Sequence, residues 1–433
     1  MTTDRRLDRD LPDILGDLAA GPTPDYIEDV LRTTAGRRQR PAWTSPERWL
    51  PMTDFARQPV LASRVPWRVI SIAMIVIALV LVVAAIVAGG AQPRFPAPFG
   101  LARNGLIAYE VSGDIYTGDP ITGATTAIVA GPATDVGPRF SRDGTRIVFE
   151  RKVDRNLGQL YTARSDGTDL TLVTPEPVQL SSSVGGEPWA KYEFSPDGTT
   201  ILIAAELKSP TILVAQSDGS GVRQIDVGMA ATEPSFRPPN GAEIMFVGSA
   251  GMNHGIFAVN VASGAVRPVV EPPFTHDLAG ATWSPDGSMV AYWSWQGIDG
   301  IDARTHVVLA DGTGDRELPA PPDAVWNAGS AWSNDGTRLL VVRGYTTAYD
   351  DVRPAVVPAD GNGSGTALPF VGTINGECCA TWAWSADDSR ILGTPVGTQG
   401  QPLQQVILDP TDGTTEAAPW TSTSRASWQR RAP

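Results

Sequence analysis

One short motif, which recurs through most of the chain, constrains the fold more than any other feature of the sequence. It consists of an aromatic residue, Ser, any residue, Asp and Gly, followed by an apolar residue seven positions after the aromatic. Copies, one with an inserted residue and one degraded, begin at Phe140, Phe194, Phe236, Trp283, Trp332 and Trp384. Strand-rich repeats of roughly 40–50 residues are the signature of propeller blades. The spacing therefore predicts an all-β fold, a β-propeller.

The motif also has a local structural explanation. Ser-Pro-Asp-Gly suits a type I turn, with Ser first, Pro fixing φ at the second position and Gly fourth. The strand that follows alternates apolar residues, as in Ile201 and Ile203, which predicts one face buried between blades. We therefore interpret the Asp of each repeat as a turn-former rather than as a catalytic acid.

The number of repeats predicts how the ring closes. Seven Gly-containing hairpins occur, but only six aromatic-led strands, because the hairpin near Ile115 has none before it. Trp428, 44 residues after Trp384, stands where the seventh copy belongs. The C-terminal strand is thus expected to complete the blade begun by residues 101–130, giving seven blades and leaving no open sheet edge. The 44 Gly and 37 Pro of the 433 residues fit such a chain of short strands and turns.

These [Phe/Trp]-Ser-Pro-Asp-Gly repeats resemble those of the TolB-type β-propellers, whose units are WD-repeat-like. The resemblance covers about residues 101–430 and implies the fold. Propellers of that family commonly have six blades, so blade number is a point on which this chain departs from it. The resemblance implies little about activity, because such propellers serve as interaction platforms, as substrate gates on peptidases and as surface domains.

A second feature is the apolar run from Val69 to Ala88, twenty residues without charge, Pro or Gly. As a helix it would measure about 30 Å, the thickness of a bilayer's hydrocarbon core. We expect a single transmembrane helix, with a linker at 89–100 and the propeller at 101–433. The 11 Arg of residues 1–68 favour a cytoplasmic N-terminus and an extracytoplasmic propeller.

The N-terminal segment, residues 1–68, is too short and polar for a robust core. It carries two short amphipathic stretches, which predict helices that dock on a cytoplasmic protein partner or, alternatively, a passive tail. The net charge of −13 disfavours a nucleic-acid partner. The expected partners are therefore the bilayer at residues 69–88 and an unknown protein, peptide or glycan at the propeller.

Candidate ligand-binding residues lie in the long loops, which alternation of strand direction places on one face of the ring. Two stretches mix aromatic residues with carboxylates, and such mixtures suit a sugar, a peptide or a cation as well as plain loop packing. The candidates are Trp293, Trp295, Asp299, Asp302, Tyr345, Tyr349, Asp350 and Asp351.

The three histidines, His254, His276 and His306, are weak candidates for a metal site, because no close pair such as His-x-His is present. We expect no metal and no cofactor. Cys378 and Cys379 are adjacent, and the sequence leaves open whether they are oxidised or remain thiols.

Motifs of known enzymes are missing from the sequence. It contains no Gly-x-Ser-x-Gly elbow, Walker loop, HExxH or Gly-x-Gly-x-x-Gly. The sequence therefore predicts a non-enzymatic, membrane-anchored propeller that binds or senses a ligand. The alternatives are an extracytoplasmic hydrolase or lyase with a site on the long-loop face, and a purely structural envelope protein.

Overall fold

The structure is a computed structural model that describes residues 71–78, 97–180, 191–250, 253–271, 276–296, 302–347, 351–368, 381–394, 403–422 and 426–432. Contacts divide the chain into two units, Met1–Gln92 and Pro93–Pro433. Residues 71–78, inside the predicted span, are helical. Among the described residues, no helix is both long and apolar enough to cross a bilayer. The rest of the predicted span, residues 1–68 and the Cys378–Cys379 pair lie outside the described residues.

Within the described residues, 29 strands form seven antiparallel sheets. The first strands are β1 (Arg103–Val111), β2 (Asp114–Gly118), β3 (Thr125–Val129), β4 (Asp135–Phe140), β5 (Arg146–Lys152), β6 (Leu157–Arg164), β7 (Thr171–Leu172), β8 (Val178–Gln179), β9 (Tyr192–Phe194), β10 (Thr200–Glu206), β11 (Pro210–Gln216), β12 (Val222–Ile225), β13 (Ala230–Phe236), β14 (Glu243–Ala250), β15 (Asn253–Asn260) and β16 (Val266–Val270). They are followed by β17 (His276–Trp283), β18 (Met289–Gln296), β19 (Arg304–Leu309), β20 (Arg316–Glu317), β21 (Trp326–Trp332), β22 (Arg338–Gly344), β23 (Val352–Pro358), β24 (Thr366–Ala367), β25 (Thr381–Trp384), β26 (Ile391–Thr394), β27 (Leu403–Leu408), β28 (Thr415–Ser422) and β29 (Ser427–Arg431).

Each sheet is one blade of a seven-bladed β-propeller. Blade 1 is β29-β1-β2-β3, blade 2 is β4-β5-β6-β7 with β8 beside β6, and each later set of four strands makes the next blade, up to β25–β28 in blade 7. The innermost strands β13, β17, β21, β25 and β29 contact one another in that order, and β29 contacts β4. These strands therefore surround the axis of the ring, as the repeat spacing predicts.

The C-terminal strand closes the ring as predicted. β29 pairs antiparallel with β1, with Trp428 opposite Ile107 and Ser427 opposite Ala108. Trp428 is buried beside Tyr109 and Trp420, and Leu392 of blade 7 belongs to the same cluster. The first and last described strands of the propeller thus share one sheet, and the inner edge of β1 is paired by β29.

The hydrophobic core is divided among the boundaries between blades. In β10, Ile201 and Ile203 join the cluster shared with blade 2, whereas Leu202 joins the cluster shared with blade 4. Because side chains alternate along a strand, every central strand contributes to two boundaries at once. The alternating apolar residues of the sequence therefore encode a ring of packed sheets.

The recurring motif forms the predicted turn. In each clear copy the Ser hydroxyl donates to the Asp carboxylate at 2.6 Å, as from Ser195 to Asp197, and the Gly amide donates to the Ser carbonyl oxygen. Gly198 has φ +72°, a left-handed conformation that favours glycine. The Asp of the motif holds its own turn, in agreement with its interpretation as a turn-former.

Strand direction sets the two faces of the ring. The turns between the first and second and between the third and fourth strands of a blade lie on one end, the turn face. The segments between the second and third strands, and those between blades, lie on the other end, the long-loop face. On the long-loop face of blade 6, β22 ends at Gly344 and β23 begins at Val352.

Candidate functional site

Two of the predicted ligand-binding residues form an aromatic pair near the long-loop face of blade 5. Trp293 and Trp295 lie two positions apart on β18, so both point to the same side of the sheet. Their rings stack with centroids 4.6 Å apart and planes inclined by 29°. Both side chains are half-buried, which leaves part of each indole on the surface. Such a pair offers aromatic area at the surface, whereas the indole N–H of Trp293 is buried and has no hydrogen-bond partner among the described residues.

The tryptophan pair belongs to a cluster that joins blades 5 and 6. Ala303, Trp326, Ala328 and Val352 are its buried members, and Val325, Val342 and the two tryptophans pack against them. Val352 opposes Gly344 across β22 and β23, directly beside Tyr345 and Asp351. The two predicted stretches, about 50 residues apart in sequence, thus border one cluster at this blade boundary.

The polar candidates at this boundary are held by local contacts. Asp302 accepts a hydrogen bond from the backbone N–H of Gln296 at 2.9 Å, which closes the base of the β18–β19 loop. Asp351 accepts two hydrogen bonds from the guanidinium of Arg353, at 2.7 and 2.8 Å. That guanidinium lies 4.7 Å from the ring centroid of Tyr345. Both contacts involve exposed or half-buried groups, so we expect each to contribute little to stability.

The structure describes five of the eight predicted binding residues. Asp299, Tyr349 and Asp350 lie outside the described residues. The other five are found at the boundary of blades 5 and 6, on the side predicted from the alternation of strands. No contact described here assigns a ligand to them, so their role in binding stays a prediction.

The two histidines whose side chains the structure describes, His254 and His306, have different partners. Nδ1 of His254, on β15, lies 2.6 Å from Oδ1 of Asp277, on β17 of the next blade. His306 lies within β19 and stacks on Tyr292 with ring centroids 5.0 Å apart. The side chain of His276 lies outside the described part of the chain. Among the described residues, no group of three or more His, Cys, Asp or Glu side chains could hold a metal ion.

One row of side chains on blade 5 has the order of a serine triad. Oγ of Ser294 lies 3.2 Å from Nε2 of His306, and Nδ1 of His306 lies 3.6 Å from Oδ1 of Asp315. The second distance is too long for a hydrogen bond, and the other oxygen of Asp315 accepts one from Tyr292 at 2.9 Å. Ser294 also sits inside β18, which is paired on both sides, so no backbone N–H near it is free to stabilise an oxyanion. We therefore interpret the row as structural.

Charged residues near the ring axis form a second group, which sequence reasoning missed. Glu193 on β9 accepts the backbone N–H of Phe236 at 2.6 Å, and Glu233 on β13 accepts that of Gly280 at 2.7 Å. Each carboxylate thereby joins two neighbouring blades. Burial raises the pKa of both, that of Glu233 to about 8.

A signal for this group does exist in the sequence. The residue just before the motif aromatic is Ser, Thr or Ala in most repeats, but Arg139 and Glu193 occupy it in the first two. Because the innermost strands line the axis, a charge at this position is placed beside that axis. Recognising it needs the ring geometry as well as the repeat.

Comparison with known proteins supports the fold and goes no further. No family model matches the chain, and no curated protein matches it. Among solved structures, an oligogalacturonate lyase from Vibrio parahaemolyticus is similar with a TM-score of 0.51 and 14% identity, covering 74% of this chain and 90% of that one. A structure from a study of two prolyl endopeptidases reaches 0.51 with 12% identity, covering 76% of this chain and 52% of that one. TolB from Agrobacterium tumefaciens aligns at 0.42 with 17% identity, covering 61% of this chain and 88% of that one.

These similarities place the chain among the β-propellers. The two structures that reach a TM-score of 0.51 come from a lyase and from a study of prolyl endopeptidases, so the shared fold does not select an activity.

Proposed function

We propose that this protein is a membrane-anchored, extracytoplasmic β-propeller that binds or senses a ligand at its long-loop face. The anchor is the apolar run Val69–Ala88, and the Arg-rich segment 1–68 lies in the cytoplasm. A span beside a propeller would link an outside ligand to an inside segment. The protein acts without catalysis of its own, in keeping with the lack of enzyme motifs in the sequence.

One observation carries the binding site. The half-buried stack of Trp293 and Trp295 lies at the same blade boundary as Tyr345 and Asp351, although the two stretches are far apart in sequence. Aromatic faces beside carboxylates suit a peptide or a glycan, since both present apolar surface together with hydrogen-bonding groups. Loops carried by a rigid ring are a common place for such sites.

A binding experiment tests the site. The full chain, purified from membranes, is used to capture peptides and glycans from arrays, and its Trp295→Ala variant is compared. The variant should lose most of the signal that the wild-type chain gives. Leu207→Ala is the matched control, because Leu207 is an exposed apolar residue on the long-loop face of blade 3. Equal capture by the Trp295→Ala variant would place the site elsewhere.

A second experiment tests the topology. Protease added to intact cells should remove the propeller and spare residues 1–68, which an antibody to the N-terminus would detect. Protection of the propeller would overturn the proposed localisation. A pull-down with residues 1–68 as a separate bait tests for the cytoplasmic partner.

The alternatives keep distinct tests. A hydrolase would react covalently with an active-site-directed fluorophosphonate, and the label would have to be lost in Ser294→Ala. Neither a lyase nor a purely structural protein would be labelled by the fluorophosphonate. A lyase would show activity on polysaccharides. A purely structural protein would bind no ligand saturably in the array experiment.

A further inference from the structure

Two arginines of blade 2 have no hydrogen-bond acceptor for their N–H groups within the part of the chain that the structure describes. Arg139 is the next-to-last residue of β4, directly before Phe140. Arg142 lies in the turn that follows β4. Both belong to the inner edge of the blade and are half-buried. Among the described residues, no oxygen accepts a hydrogen bond from either guanidinium, and no carboxylate lies within 4.0 Å of one.

Arg142 is partly covered by neighbouring residues. Its guanidinium lies 4.7 Å from the ring centroid of Phe99, which covers one side. Burial lowers the pKa of Arg142, the neighbouring charge of Arg139 acts in the same direction, and Glu193 opposes them. A half-buried arginine keeps only part of its hydration, and no oxygen of the described residues accepts a hydrogen bond from Arg142. An incoming anion would supply the missing acceptor.

The neighbouring charges are already engaged. Arg430 donates to Oδ1 of Asn334 at 2.7 Å and to the carbonyl oxygen of Gly100 at 2.5 Å. Asp388 accepts hydrogen bonds from the side chain of Asn334 and from the backbone N–H groups of Asn334 and Asp335, at 2.8, 2.8 and 2.9 Å. Among the described residues, these groups bond to one another rather than to the arginines of blade 2, although Nε of Arg430 itself has no partner there.

The charge balance indicates the kind of anion. Glu193 is the acid that acts on the charge of Arg142, and its carboxylate is turned to the backbone N–H of Phe236. Arg139 and Arg142 together carry more positive charge than the single carboxylate of Glu193 can balance, so the site favours an anion. A carboxylate also matches the planar fork of a guanidinium, with which it forms paired hydrogen bonds.

We propose that Arg139 and Arg142 form a binding site for one carboxylate group beside the axis of the propeller. The natural ligand is then a molecule that presents a single accessible carboxylate, such as an acidic side chain or the end of a peptide. This site is distinct from the tryptophan pair of the long-loop face, and it requires neither that face nor membrane anchoring.

The test uses the full chain and acetate as the probe. Saturation-transfer NMR on the acetate methyl group, at constant ionic strength, gives the dissociation constant. Arg139→Gln and Arg142→Gln should each weaken binding by about tenfold or more, the usual effect of removing a charge-assisted hydrogen bond. Arg223→Gln is the control, since Arg223 is an exposed arginine on the outermost strand of blade 3.

A gain-of-binding variant separates the site from misfolding. Glu193→Gln keeps an oxygen for the N–H of Phe236 but removes the competing negative charge, so acetate should bind severalfold more tightly. A protein that had lost its fold could not show this gain. Absence of saturable binding, equal affinity in Arg142→Gln, or an equal loss in Arg223→Gln would overturn the site. The assignment to a carboxylate would be overturned if phosphate displaced acetate at a concentration below the dissociation constant of acetate.

Discussion

Removal of residues 424–433 is expected to unfold the propeller, because these residues supply the inner strand of blade 1. Trp428 is 9% exposed and packs between blades 1 and 7. Loss of a buried Trp side chain typically costs about 3–5 kcal/mol. β29 also carries Gln429, whose side chain donates to the carbonyl oxygen of Gly144 at 2.7 Å across the boundary with blade 2.

The remaining contacts of β29 raise the expected cost further. Arg430 is 6% exposed and donates to Asn334, Ala97 and Gly100. Each such bond contributes about 1 kcal/mol, and the edge of β1 would lose its partner. A total of about 8 kcal/mol or more is comparable with the roughly 5–15 kcal/mol that stabilise a typical domain. The truncated ring should therefore be largely unfolded or aggregated at room temperature.

The assay is thermal unfolding of the full chain and of the truncated chain, followed by tryptophan fluorescence and by resistance to protease. Deletion of residues 1–10 is the matched control and should leave the transition unchanged. Trp428→Ala should lower the stability by about 3–5 kcal/mol, and Trp428→Phe should lower it less because most of the apolar volume remains. A truncated chain that melts at the temperature of the full-length protein would refute closure by β29.

Three further changes test other parts of the structure. Gly144→Ala should destabilise the fold more than Gly198→Ala, because both have positive φ but only at Gly144 would the new Cβ meet a backbone atom, the carbonyl oxygen of Arg430; the two melting temperatures decide this. Glu233 has its pKa raised to about 8 by burial, so the folded state binds more protons than the unfolded state between about pH 4.5 and pH 8, and stability should fall as pH rises through this window. Denaturant titrations at pH 5 and pH 9 should show a loss of about 2–4 kcal/mol, absent in Glu233→Gln; an equal loss in that variant would assign the effect to another group. Asp388→Gly restores the motif and removes a residue at φ +59°, yet it should destabilise the protein by about 2 kcal/mol, since the amides that Asp388 accepts would lose their partner; a stabilised variant would contradict this account.

The ring itself was predictable because its information is local and repeated. The aromatic-Ser-x-Asp-Gly turn depends on residues within five positions of one another, and the alternation in the next strand depends on the pleat alone. Repetition of that unit, with one copy missing near the start and Trp428 left over at the end, was enough to predict closure. Packing between blades then follows, since each blade presents apolar side chains on both faces.

The sites were less predictable, because they depend on which blades meet and on how side chains pair between them. The sequence predicted that Trp293 and Tyr345 lie on the same face of the ring. Only the tertiary structure shows that Trp293 packs in one cluster with Val352, which lies beside Tyr345. The histidines looked alike in sequence, yet His254 pairs with Asp277 of the next blade while His306 packs inside its own.

The charged residues near the axis likewise depend on the tertiary structure more than on the local sequence. In the sequence, Arg139 stands out only as a charge at a position where most repeats have Ser, Thr or Ala, and Arg142 lies within a turn motif that tolerates many residues. Among the described residues, their lack of acceptors arises from the position of β4 at the inner edge of blade 2, from Phe99 beside Arg142, and from the hydrogen bond of Glu193 with the N–H of Phe236. Local sequence determines turns and strands because those depend on near neighbours, whereas hydrogen bonds between blades join residues that lie in different repeats, such as His254 and Asp277 or Glu193 and Phe236, and form only when the blades pack into the ring.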